Sequence, residues 1–264
     1  MFMAHSATIS DAWKKREVLV ADSKKILEVR NLWKAFGSNR VLNGFDLLVE
    51  KGESVVVLGK SGSGKSVLIK CIIGLMKPDA GEINVLGQDV PSLSNEALDE
   101  LRVQVGFLFQ SNALYDSMTV RENLEFPLRR HWFKKTEAEV EALVQEALYN
   151  VGLSHTINMM PAELSGGMRK RVALARTLIL KPQIILYDEP TTGLDPVTSR
   201  EISNLMVQVQ EKYNTSSVII SHDMQCVSIT ANRVVLLIDG VCYANDTFEN
   251  LSRSPDLKIK EFFD

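Results

Sequence analysis

The stretch Gly59-Lys60-Ser61-Gly62-Ser63-Gly64-Lys65-Ser66 sets glycines, lysines and hydroxyls where they can grip a polyphosphate. It matches the Walker A pattern G-x-x-x-x-G-K-[ST] at every fixed position. Glycines let backbone N–H groups converge on phosphate oxygens with no side chain in the way. An apolar run, 54–58, precedes the loop, and a helix-like run, 67–73, follows it. The loop therefore opens a helix whose N-terminus carries partial positive charge. Lys65 is expected to put a point charge on β- and γ-phosphates, and Ser66 to offer its hydroxyl to Mg²⁺. A second group is Ile184-Ile185-Leu186-Tyr187-Asp188-Glu189-Pro190. A strand ending in two carboxylates can hold Mg²⁺ through Asp188 and orient or deprotonate a water through Glu189. A third is Leu164-Ser165-Gly166-Gly167-Met168-Arg169-Lys170-Arg171, where a serine and two glycines open another anion-binding helix. One subunit has no need of two phosphate cradles for one nucleotide.

These groups need a scaffold, and the rest of the chain predicts one. Strands are expected at 26–30, 41–49, 54–58, 82–85 and 103–109, with turns at Gly37-Ser38-Asn39, Lys51-Gly52 and Pro78-Asp79-Ala80-Gly81. Helices are expected at 95–101, 136–150 and 166–180; in the second, Val140, Leu143, Val144, Ala147 and Leu148 recur at helical spacing. The short apolar runs 184–187, 218–220 and 234–238 suit central strands of a parallel sheet covered on both faces. The class is α/β.

Composition narrows the possibilities. The 264 residues can bury one large core, with room for a subdomain. A net charge of −3 gives no global basic field for nucleic acid. Cys71, Cys226 and Cys242 form no C-x-x-C pair and read as buried thiols in a reducing compartment. No apolar run approaches the ~20 residues that span a bilayer, and residues 1–21 lack a signal-peptide core. With no transmembrane segment of its own, the chain would meet a membrane through a partner. Residues before about 23 read as a solvated extension, with contact between the Trp13-Lys14-Lys15-Arg16 cluster and lipid headgroups as the alternative.

The order Walker A, Gln110, Ser165-Gly166-Gly167, Asp188-Glu189, Asp195, His222 resembles that of ABC transporter ATPase subunits, over residues 26–246. The resemblance implies a P-loop NTPase: an ABC-type nucleotide-binding domain with a RecA-like core, an antiparallel β subdomain and a helical subdomain at about 111–168. Residues 1–25 would then be an N-terminal extension and 247–264 a C-terminal tail. Phe36, in Lys34-Ala35-Phe36-Gly37, matches the aromatic that stacks on adenine, with Trp33 a nearby competitor. Gln110 matches the glutamine that senses Mg²⁺ and the attacking water. Gly193-Leu194-Asp195 matches the loop that crosses the dimer interface, and His222 the histidine that contacts the γ-phosphate.

Two such subunits are expected to join head to tail as a homodimer. ATP would bind Gly59, Lys60, Ser61, Gly62, Ser63, Gly64, Lys65 and Ser66 of one subunit, and Ser165, Gly166, Gly167 and Asp195 of the other. Catalysis would fall to Glu189, His222, Lys65 and Gln110, and Mg²⁺ to Ser66, Asp188 and Gln110. The segment Met118-Thr119-Val120-Arg121-Glu122-Asn123-Leu124 matches the region that receives an integral-membrane permease. Nearby Leu114, Tyr115 and Met118 either pack the helical subdomain or form that docking surface.

Residues 164–196, with Met168 where many members carry Gln, look like the ATPases of Mla-type (maintenance of lipid asymmetry) phospholipid transporters. The plant chloroplast lipid importers share this style. That resemblance implies an MCE-domain substrate-binding protein as a further partner. It also implies a peripheral place on the cytoplasmic face of a bacterial inner membrane. Uptake of a small solute such as an amino acid is the alternative.

Overall fold

The computed structural model describes residues 25–131 and 135–263. The expected N-terminal extension, Trp13-Lys14-Lys15-Arg16 included, lies outside them save for Lys25, which begins the first strand. Strands β1 (Lys25–Phe36), β2 (Asn39–Glu50), β4 (Ala80–Val85) and β5 (Gln88–Asp89) form an antiparallel sheet in the order β2-β1-β4-β5. Strands β3 (Ser54–Leu58), β6 (Val105–Leu108), β7 (Ile184–Asp188), β8 (Ser216–Ser221), β9 (Arg233–Ile238) and β10 (Val241–Asp246) form the second sheet, ordered β10-β9-β3-β8-β7-β6. All its pairings are parallel except that of the edge strand β10.

The central strands are apolar at nearly every residue because both of their faces are covered. Successive side chains of a strand point to opposite faces. Val56, Leu58, Ile185, Tyr187 and Ile219 pack into one core with the helices Val120–His131, Glu137–Asn150, Gly166–Leu178 and Pro196–Tyr213. Val55, Val57, Leu186, Val218 and Ile220 pack into the other, with the helix Lys65–Ile72 and the inner face of the antiparallel sheet. Each fully buried Val, Leu or Ile side chain contributes about 1.5–3 kcal/mol relative to exposure.

Parallel strands all finish at one edge of the sheet, and this decides where the chemistry goes. Leu58 pairs with Ser221, Asp188 with Ile220 and Leu108 with Tyr187. The phosphate loop, Gln110, Asp188-Glu189 and His222 leave from those adjacent strand ends.

Some elements differ from expectation. The strand predicted at 103–109 starts at Val105, because the helix Asn95–Gln104, capped by Ser94, runs through Val103. Arg102 ties that helix end to the carbonyls of Ile73 and Gly74. The helix Pro196–Tyr213 was not anticipated, although Asp195 caps it and Ile202, Leu205, Met206 and Val209 recur at helical spacing. Beyond Asp246 the chain forms two short helices, Phe248–Ser252 and Leu257–Lys260. Leu251 and Ile259 are buried against the core, and the Phe263 ring lies 5.4 Å from that of Phe248. The cysteines are free, and burial pushes the Cys71 and Cys242 thiols up to about 11 and about 12, so neither is a nucleophile at neutral pH.

Candidate nucleotide site

A cavity of about 650 Å³ opens in front of the loop, with Gln110, Glu189 and His222 on one side. Crowding requires glycine at two positions of the loop, Gly59 and Gly64, while Gly62 has open space but a left-handed φ of +78°. A Cβ on Gly64, whose φ is +103°, would lie 2.6 Å from Val41 Cγ1. One on Gly59 would lie 2.6 Å from Ser63 Oγ and 2.9 Å from the Leu237 carbonyl. The helix that follows starts at Lys65 with no side-chain cap and no acidic residue in its first turn. Its first N–H groups thus lack an intrahelical partner and suit an anion. Ser63 Oγ is buried with no partner in the protein, a polar atom that a loop built for phosphate leaves over. Lys65 Nζ donates to the carbonyls of Gly59 (2.7 Å) and Lys60 (3.0 Å), holding the ammonium along the loop. Burial lowers its pKa, and the charges of Glu189 and Asp188 oppose that shift.

The carboxylates stand at the end of β7. Ser66 Oγ donates to Asp188 Oδ1 at 3.2 Å. Burial raises the Asp188 pKa; the Ser66 hydroxyl pulls it back and the Glu189 charge adds to the rise. A hydroxyl and a carboxylate side by side are hard oxygen donors, the type that Mg²⁺ takes. Glu189 has φ +50°, and its N–H donates to the Ile220 carbonyl at 2.9 Å. A left-handed backbone at a non-glycine residue costs about 1–2 kcal/mol. Its carboxylate Oε2 lies 2.8 Å from His222 Nδ1 and accepts from Thr192 Oγ1 at 3.2 Å. Asp223, next to His222, caps the helix Met224–Thr230 and accepts from Thr191 and Ser199 hydroxyls, so the two strand ends are tied together.

Gln110 is exposed on the cavity wall, and its carbonyl accepts from Lys170 Nζ at 2.9 Å. Lys170 itself is only 2% exposed; burial pushes its ammonium down to about 8, against the Asp188 charge. In the sequence Lys170 stands within the segment 164–171 with nothing to mark a role for it. The available signal was a charged residue on a helix face otherwise filled by Ala173, Leu174 and Leu178.

The structure does not bring every expected residue to this cavity. Ser165, Gly166, Gly167 and Asp195 are not in its walls. Ser165 caps the helix Gly166–Leu178, and Asp195 caps the helix Pro196–Tyr213. These two turns lie against each other: a Cβ on Gly167 would lie 2.6 Å from Thr198 Cγ2. Phe36 is 48% exposed at the end of β1 and lines no part of the cavity. The Trp33 indole N–H is taken by Asn31 Oδ1 at 2.9 Å. Val41, Met224, Glu261 and Phe262 line the cavity and were not anticipated, since three of them come from segments with no phosphate motif.

Comparison with known proteins adds to this geometry. Residues 42–192 match the family described as ABC transporter. The chain is 38% identical to the intermembrane phospholipid transport system ATP-binding protein MlaF of Haemophilus influenzae, over 91% of this chain and 90% of that protein. It is 36% identical to the methionine import ATP-binding protein MetN of Campylobacter jejuni, over 90% of this chain and 75% of that protein. Among solved structures, the dimeric post-hydrolysis state of the ATP-binding cassette MJ0796 bound to ADP and Pi aligns with a TM-score of 0.76 at 31% identity. That alignment covers 84% of this chain and 98% of the other.

Proposed function

The chain belongs to the ABC transporter family as an ATP-hydrolysing subunit, and on that premise we propose that it powers phospholipid transport between bacterial envelope membranes. The observation that carries the substrate is the likeness to MlaF along nearly the whole of both chains. The partners are an integral-membrane permease and an MCE-type protein, and this subunit sits peripherally on the cytoplasmic face of the inner membrane.

In this reading the loop N–H groups and Lys65 hold the β- and γ-phosphates of ATP. Mg²⁺ held by Ser66, Asp188 and Gln110 would neutralise charge on those phosphates. Glu189 orients the attacking water and takes its proton, and His222 holds the Glu189 carboxylate and the γ-phosphate in register. Hydrolysis of this kind depends on positioning and charge stabilisation more than on covalent chemistry. Ser165–Gly167 and Asp195 serve the ATP of a second subunit. The dimeric state of the MJ0796 cassette supports this. ATP favours the closed dimer over the open one, and hydrolysis removes that preference.

A mixed dimer tests the sharing. Combining a Lys65→Ala subunit with a Ser165→Arg subunit puts both defects in one composite site and leaves wild-type residues in the other. Such dimers are expected to bind ATP tightly at one site per dimer, read by equilibrium titration. Two equally weakened sites would mean that each Ser165 serves its own subunit.

The link to the permease is a surface just beyond Gln110. The buried Asn123 side chain bonds the backbone of Tyr115, Met118 and Thr119, which makes the loop rigid. Tyr115, 42% exposed, rests on Phe126 with ring centroids 4.8 Å apart, beside the Arg176 guanidinium. An aromatic fixed on a rigid loop is a typical interface anchor. Tyr115→Glu is expected to lower recovery of the permease with the subunit at least tenfold and to leave ATP affinity of the isolated subunit within about twofold. Unchanged recovery would remove Tyr115 from the docking surface. Mass spectrometry of the wild-type membrane complex tests the substrate: a permease, an MCE protein and phospholipid are expected. The likeness to MetN favours a second reading, an amino-acid importer. An amino-acid permease recovered without an MCE protein or phospholipid would establish that reading instead.

A further inference from the structure

Two cavities meet at the phosphate loop. The first runs to Gln110, Glu189 and His222. The second, about 580 Å³, is walled instead by Arg40, Asn43 and Asp239. Both share Val41, Lys60, Ser61 and Gly62, and both are walled by Phe262. In the reading above, the γ-phosphate lies toward Glu189 and His222. The second cavity shares the loop but not Glu189 or His222, and so offers room for the ribose and base. Among the described residues, the phenyl ring that lines both cavities is Phe262, whereas Phe36 lines neither.

Phe262 is held there by contacts outside the loop. Ile259, three residues earlier, is buried in the core. Tyr243 OH donates to Asp256 Oδ2 at 2.8 Å, anchoring the start of the last helix. Phe263 packs on Phe248. Glu261 Oε2 lies 2.6 Å from Lys60 Nζ, on the loop itself. That pair is exposed and adds little energy, but it sets where the next residue falls. A half-buried ring held beside Val41 offers a flat apolar face to a purine or its ribose.

We propose that Phe262 is a nucleotide-contact residue, forming the wall of the ATP site at its base and ribose end, and that the Lys60–Glu261 pair fixes it to the phosphate loop. The proposal rests on the reading of that loop as the ATP site. The test compares two ligands on the full chain with Mg²⁺: a non-hydrolysable ATP analogue, and inorganic tripolyphosphate, which has neither base nor ribose. Phe262→Leu keeps apolar packing and removes the ring; Phe262→Tyr restores it. Phe262→Leu is expected to weaken the analogue by about three- to tenfold, the range of an aromatic contact, and to leave tripolyphosphate unchanged. Phe262→Tyr is expected to recover wild-type affinity. Equal loss for both ligands would overturn the proposal, since Phe262 would then only support the loop. Unchanged analogue binding in Phe262→Leu, with a base-dependent loss in Phe36→Ala, would overturn it in favour of Phe36. Wild-type chain that binds neither ligand would bring down the ATP reading of the loop as well, a result distinct from the other two.

Discussion

Glu189→Gln is expected to lower ATP turnover by about 10²–10⁴-fold, the range of a lost general base, while ATP affinity stays within about twofold of wild type. The amide keeps the size of the side chain but cannot accept the proton of water. The neighbourhood makes this a clean substitution. Glu189 is fixed by its backbone: its N–H bonds Ile220 and its left-handed conformation is set by the turn that follows β7. Neither depends on the carboxylate. The carboxylate's own partners, His222 Nδ1 and Thr192 Oγ1, can both be satisfied by an amide oxygen. The variant should therefore fold, bind ATP and accumulate as an ATP-bound dimer, visible as a larger species by light scattering only when ATP is present. Steady-state turnover in the assembled complex is the deciding measurement. A rate near that of wild type would take the role of base away from Glu189.

Lys65→Met is expected to weaken ATP binding by about 10–150-fold, the worth of a charge-assisted hydrogen bond of about 1.5–3 kcal/mol, and to reduce hydrolysis with it. Stability should move the other way or not at all. Lys65 is only 7% exposed, and burial already disfavours its charged form. Methionine fills similar volume without that desolvation cost, although it leaves the Gly59 and Lys60 carbonyls without their donor. The unliganded variant should melt within a few degrees of wild type, and the rise in Tm that ATP gives the wild type should largely vanish. Thermal unfolding with and without Mg²⁺ and ATP reads both effects at once. An intact ATP-induced shift would mean that the loop backbone alone holds the phosphates.

Much of this protein could be read along the chain because the relevant forces are local. A strand, a glycine-rich turn and an uncapped helix start are contiguous between Ser54 and Ile72, so the phosphate loop carries its own geometry. Ser165, Thr136 and Asp195 each cap the helix that follows them, a contact two or three residues long. The continuous apolar runs of β7, β8 and β9 were legible as doubly covered strands, since each buries residues on both faces.

What the chain alone left open depends on contacts between distant segments. That Gln110, Glu189 and His222 share one cavity follows from the parallel register of β6, β7, β8 and β3, which sets their ends side by side. Lys170 is 60 residues from the carbonyl it holds, and Glu261 is 201 from the lysine it pairs with. No periodicity records such distances, because loop closure over that span is decided by the topology of the whole domain. The same holds for the aromatic side of the site. The family resemblance pointed to Phe36, which the fold leaves about half exposed at the end of β1; only the fold brings Phe262 back from residue 262 to the phosphate loop. Residue type and spacing determined which chemistry this protein carries; the order in which its strands pair decided which of those residues meet.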